Sequence, residues 1–112
     1  MSTPLTLREA QALIDGWIRA NGGYWPPLSL LARLTEETGE VAREYNHRFG
    51  AKRKKASEGE ADLAGELADV LFITLCMANE QGIDLEAALG ATLEKLRVRD
   101  AGRWVPPDSP GG

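Results

Sequence analysis

The stretches LTEETGEVA, residues 34–42, and GELADVLF, residues 65–72, decide how this chain folds. Glu37 and Glu40 are one helical turn apart, and so are Glu66 and Asp69, so each pair shares a helix face. Glu36 stands on the flank, one turn before Glu40. Each pair is set into an apolar stripe: Leu30, Leu34, Val41 and Tyr45 run beside Glu37, and Leu63, Val70, Ile73 and Met77 run beside Glu66. Two helices that bury these stripes carry the carboxylates to their interface. Carboxylates there are expensive unless a cation or hydrogen bonds compensate them, and one divalent cation can compensate several at once.

Outward from these two helices, the remaining chain reads as helical. Thr6-Leu7-Arg8-Glu9 is a capping box that opens a first helix, with Leu7, Ala10, Ile14, Trp17 and Ile18 as its apolar face. Asn21-Gly22-Gly23 ends it. Tyr24-Trp25-Pro26-Pro27 is a rigid connector, because each proline fixes φ and restrains its predecessor. Ser29 is the expected cap of the second helix, which runs to about Phe49 before Gly50. Residues 51–59 form a polar, lysine-rich loop. The third helix is expected from about Glu60 to Glu80, with Gly82 as its stop. Asp84 caps a fourth that runs to about Arg99. The expectation is an all-α, four-helix domain over residues 1–104, followed by a disordered Pro- and Gly-rich tail at 105–112.

The third helix is apolar on every side from Val70 to Ala78. Such a helix is buried all round, and three other helices of so short a chain can hardly cover it while also sheltering the acids. The bundle is therefore expected to be completed by homo-oligomerisation.

The 112 residues suit one domain with a modest core. A formal net charge of −4 argues against nucleic acid as the main partner. A single cysteine, Cys76, excludes an internal disulfide and disfavours a zinc site; within an apolar run it reads as a small buried hydrophobe. The start of the chain lacks a basic-then-apolar leader pattern, and the run from Val70 to Ala78 is too short to span a bilayer, which leads to the expectation of a cytoplasmic protein with no membrane partner.

Oxygen ligands without imidazole or thiolate favour hard ions, Mg²⁺ first and Mn²⁺ as an alternative. A di-iron bundle needs Glu-x-x-His on its helices, and His47 belongs to neither acidic cluster. Mg²⁺ readily binds phosphate oxygens, so nearby cations suggest a polyphosphate substrate. Arg33 lies one turn before Glu37; Lys95 and Arg99 share a face of the fourth helix; Lys52, Arg53, Lys54 and Lys55 lie in the connecting loop. Trp25 could stack on a base. Taken singly, a helical glutamate is a solvated surface residue, and Glu9, Glu44, Glu58, Glu60 and Glu94 read as such. His47 reads as a surface residue, Lys52–Lys55 as a solvated loop, and Tyr24 and Trp25, two aromatics beside prolines, more often read as packing than as a base platform. The two acidic clusters together resist that reading, because like charges one turn apart destabilise a bare helix.

Glu36-Glu37-x-x-Glu40 followed by Glu66-x-x-Asp69 resembles the EExxE…ExxD signature of the all-α NTP pyrophosphohydrolases, in particular their MazG-like branch. Gly23-Tyr24-Trp25-x-Pro27, Ala78-Asn79, Gly82-Ile83-Asp84-Leu85-Glu86 and Lys95-Leu96-x-x-Arg99-Asp100 are similar to that branch too, so the likeness covers roughly residues 5–104. The resemblance implies hydrolysis of a nucleoside triphosphate at its α-phosphorus to the monophosphate and pyrophosphate, with Mg²⁺, as nucleotide-pool house-cleaning. It also implies a homodimer or a dimer of dimers. By motif position, Glu37, Glu40, Glu66 and Asp69 would hold metal, Glu36 would position or deprotonate water, and Arg33, Lys95 and Arg99 would meet phosphates. Two other readings share these features: a hydrolase of another pyrophosphate-linked substrate, and a non-catalytic nucleotide-binding or oligomerisation module, against which the intact acid set argues.

Overall fold

A computed structural model describes residues 4–50, 62–99 and 102–103. Its described elements are four α-helices: α1 Leu7–Ala20, α2 Pro27–Phe49, α3 Leu63–Glu80 and α4 Leu85–Arg99. The capping box forms as the sequence predicts. The Thr6 hydroxyl accepts from the Glu9 amide at 3.1 Å, and the Thr6 amide donates to Glu9 Oε1 at 3.3 Å. Gly22 and Gly23 take left-handed φ values of 107° and 84°, which turns the chain out of α1 at little steric cost. Tyr24 then ties the connector back by donating its hydroxyl to Asp15 Oδ1 at 2.6 Å.

Helix α2 begins two residues before the expected Ser29 cap. Pro26 is the N-cap and Pro27 the first helical residue. Proline is preorganised for that position, where its missing N–H would have no intrahelical partner anyway, so no hydroxyl cap is needed. Asp62 caps α3 by accepting from the Gly65 amide at 2.9 Å. A side chain at position 65 would collide with that carboxylate, which explains the glycine. The expected start near Glu60 falls outside the described residues, as do the lysine-rich loop, Trp104 and the tail. Asp84 caps α4 as expected, accepting from the Glu86 and Ala87 amides at 3.0 and 3.2 Å.

Pro27 and Leu30 stand beside Met77 and Glu80, whereas Glu37 stands beside Glu66 and Asp69, so α2 and α3 run antiparallel. Their seam is the main packing surface; α1 packs on α3, and α4 on α1. The buried apolar residues are Leu30, Ile73, Leu75, Cys76 and Ala78, four of them on α3. Leu71 and Phe72, near the start of the all-apolar run, remain exposed, and no α4 residue is buried.

Candidate metal centre

Glu37 comes from the middle of α2, and Glu66 and Asp69 from the first two turns of α3. The antiparallel seam brings the three together: one carboxylate oxygen from each lies within 4.8 Å of the others. Glu37 is only 7% exposed, Glu66 half-buried and Asp69 exposed, so the cluster opens to solvent on its α3 side. Burial pushes the Glu66 carboxyl above its ordinary range, and the neighbouring charges of Glu40, Asp69, Glu37 and Glu44 push it further. A site that resists its own negative charge is what a divalent cation relieves. The donors are all carboxylate oxygens, which fits a hard cation.

The other residues singled out by sequence divide. Glu40 is exposed and outside the triad of converging oxygens, yet it stands close enough to raise Glu66. The Glu36 side chain is 66% exposed and ion-paired to Arg33 Nη1 at 3.2 Å. Arg33 reaches Glu37 Oε1 through Nη2 at 3.0 Å, so one guanidinium bridges the two adjacent glutamates at the edge of the cluster. Lys95 and Arg99 are exposed on α4, which packs against α1; among the described residues no hydrogen bond or ion pair joins them to the acids. Trp25 is 55% exposed in the connector before α2. Tyr24, by contrast, is committed to packing: its hydroxyl holds Asp15, and Arg19 lies over its ring at 5.6 Å. Burial and the Asp15 carboxylate push the phenol up to about 12.

Glu44 corrects the expectation of a solvated surface residue. It is 8% exposed and contributes to the field that raises Glu66. Its position one turn beyond Glu40 and two turns beyond Glu37 places it on the acidic face of α2, and that spacing is the signal that could have found it.

Residues 26–104 match the MazG nucleotide pyrophosphohydrolase domain. The chain is 46% identical over 101 residues to the uncharacterized protein YpjD of Bacillus subtilis, covering 89% of this chain and 91% of that one. It is 32% identical over 106 residues to the dATP/dGTP diphosphohydrolase of cyanophage S-2L, covering 95% and 85% respectively. The fold is similar to the crystal structure of Bacillus subtilis YpjD, with a TM-score of 0.75 at 44% identity over 84% of this chain and 97% of that one. It is also similar to a Bacillus-conserved MazG protein, a nucleotide pyrophosphohydrolase, with a TM-score of 0.72 at 41% identity over 85% and 93% of the two chains.

Proposed function

This chain belongs to the MazG nucleotide pyrophosphohydrolase family, and from that premise we propose that it hydrolyses a nucleoside triphosphate or deoxynucleoside triphosphate to the monophosphate and pyrophosphate, with Mg²⁺ as its cation. The observation that carries this reading is the convergence of Glu37, Glu66 and Asp69 oxygens across the α2–α3 seam. Cleavage at a nucleotide's anhydride is supported by the relatives: the cyanophage protein acts on dATP and dGTP, and the Bacillus-conserved MazG protein is a nucleotide pyrophosphohydrolase.

In this reading Glu37, Glu66 and Asp69 hold the cation, with Glu40 as the fourth carboxylate. A bound Mg²⁺ supplies polarisation of the phosphate oxygens and offsets charge that develops on them. Glu36, outside the converging triad, orients a water toward the α-phosphorus and accepts its proton. Arg33 presents its guanidinium to the phosphate chain and, by pairing with Glu36, sets that carboxylate's direction. Lys95 and Arg99 meet phosphates only where assembly carries α4 to a cluster, and Trp25 offers a ring to the base. The bare apolar faces of α3 and α4 support a homodimer or tetramer as the working form.

The test is pyrophosphate release over a panel of canonical and modified NTPs and dNTPs, with Mg²⁺ or Mn²⁺ and with EDTA. Release of pyrophosphate that stops with EDTA is expected. Activity undiminished by EDTA, or none on any nucleotide, would overturn the reading.

A further inference from the structure

The α2–α3 seam holds a second feature, two to three turns from the acids. At its other end lies a cavity of about 260 Å³ lined by Pro27, Leu30, Met77, Glu80 and Gln81. It is smaller than the roughly 300–1,000 Å³ that takes a whole drug-sized ligand, so it suits one part of a larger molecule. Its walls are chiefly apolar, and Glu80 is the one acidic residue among those that line it. The Gln81 side-chain amide donates to Glu80 Oε2, while Oε1 has no partner among the described residues. Trp25, half-exposed, precedes Pro27 by two residues.

Leu30 and Glu37 are seven residues apart on one face of α2, about 10 Å along its axis, and Met77 is eight residues from Asp69, about 12 Å. Arg33 lies between the two features on α2. A sugar with its first phosphate spans such a gap. A second groove among the described residues, about 390 Å³ and lined in part by Arg8, Gln11, Asp15, Arg19 and Asn79, does not compete. Asn79 points well round α3 from Glu66 by helical angle, and the groove's charged and amide groups already pair with one another.

We propose that the Leu30–Met77–Glu80 cavity seats the substrate's nucleobase and that Glu80 selects bases with two adjacent N–H donors, the edge that guanine presents. This rests on the hydrolase reading above for the position of the phosphates. A carboxylate accepts two parallel hydrogen bonds, which guanine supplies from its ring N–H and exocyclic amine. Hypoxanthine lacks the amine. Adenine, uracil and thymine each set an acceptor against the carboxylate, which disfavours them.

The experiment measures both binding and turnover of GTP, ITP, 1-methyl-GTP, ATP and UTP by the whole chain. Binding is read by calorimetry with Ca²⁺ in place of Mg²⁺, and turnover as kcat/KM with Mg²⁺. GTP is expected to exceed ITP and 1-methyl-GTP by about tenfold or more, the effect of losing one hydrogen bond to a charged acceptor. Glu80→Gln should collapse the GTP/ITP ratio toward one, and Met77→Phe, which fills the cavity, should weaken binding of every nucleotide. The arms with wild-type protein need no variant to fold. Equal binding of GTP and ITP by the wild type, or a ratio unchanged in Glu80→Gln, overturns the base site. Such equality is also the outcome if a second copy of the chain plugs the cavity. Hydrolysis without a base preference would leave the reaction standing and this inference fallen. A Glu80-dependent preference in binding, without hydrolysis, would do the reverse.

Discussion

Glu36 and Glu37 are adjacent in sequence but occupy different environments, one two-thirds exposed in its side chain and the other 7% exposed as a residue, with Arg33 bridging them. The proposed division of labour follows from that difference. Glu36→Gln keeps the triad of converging oxygens and is expected to lower turnover by about 10²-fold or more, a general-base-sized loss, with calorimetric metal affinity largely retained. Asp69→Ala removes a converging oxygen and should lose both. If Glu36→Gln loses metal as badly as Asp69→Ala, the acids form a single ligand shell. Glu66 carries a second expectation. Its carboxyl is raised by burial and by Glu40, Asp69, Glu37 and Glu44, so the stability it contributes is complete below its unfolded pKa and is lost as pH rises through the higher folded value. Once ionised, the side chain therefore opposes folding of the metal-free chain. Glu66→Gln should raise the melting temperature without metal and shrink the increase that Mg²⁺ produces in the wild type, read by paired thermal scans. The spacing of Glu37, Glu66 and Asp69 made their meeting legible in the sequence. The same spacing sets Glu44 on the acidic face of α2, but its burial, to 8% exposure, depends on how deeply the facing helix seats, which spacing does not encode.

Helix α1 holds the turn between α3 and α4 through one polar side chain. Gln11, 8% exposed, donates to Asn79 Oδ1 at 2.9 Å and to the Ile83 carbonyl at 2.8 Å, and accepts from the Leu85 amide at 2.9 Å. Asn79 returns a bond to the Gln11 carbonyl at 2.9 Å. Gln11→Ala strands three of these partners and should destabilise the fold by about 2–4 kcal/mol, given the cost of unmade buried hydrogen bonds; chemical denaturation reads the loss, and a change under about 0.5 kcal/mol would refute the latch. On the surface above it, Arg8 pairs with Asp84 at 2.8 Å and with Glu86 at 3.0 Å. Arg8 and two amide bonds hold Asp84 below the ordinary carboxylate range, and Tyr24 with Arg19 does the same for Asp15. Both contributions are present above the unfolded carboxylate pKa and fade as pH falls through the lower folded values, so stability should decline only well into acid from this end of the molecule. The helices, their caps at Thr6 and Asp84, and the glycine stop after α3 were legible from local chemistry. The cap of α2 was misplaced by three residues, Ser29 for Pro26, because a serine cap and a proline first turn both satisfy the same helix end. That Gln11, rather than an apolar residue, anchors α1 was hidden, since its partners lie 68 to 74 residues away.

One chain on its own is an open structure. Its radius of gyration is 18.0 Å, against about 13 Å for a compact domain of this length. On α3 the residues Leu67, Leu71, Leu75 and Ala78 follow one stripe, yet only Leu75 and Ala78, near the α1 contact at Asn79, are buried. Leu67 and Leu71 continue that face uncovered, with Phe72 exposed nearby and Leu89, Leu93 and Leu96 exposed along α4. Monomeric proteins seldom leave so many large apolar side chains bare. A second copy offers faces of the same kind, and in a twofold interface a single substitution acts twice. Leu71→Arg discriminates well: Leu71 is already 50% exposed in the single chain, so the change costs an isolated monomer little, whereas at an interface it buries an unpaired charge. Light scattering at micromolar concentration should give a dimer or tetramer for the wild type and a smaller species for Leu71→Arg, and the wild-type melting temperature should rise with protein concentration while the variant's stays flat. A wild-type monomer with a concentration-independent transition would mean that the uncovered stripes serve something other than self-association.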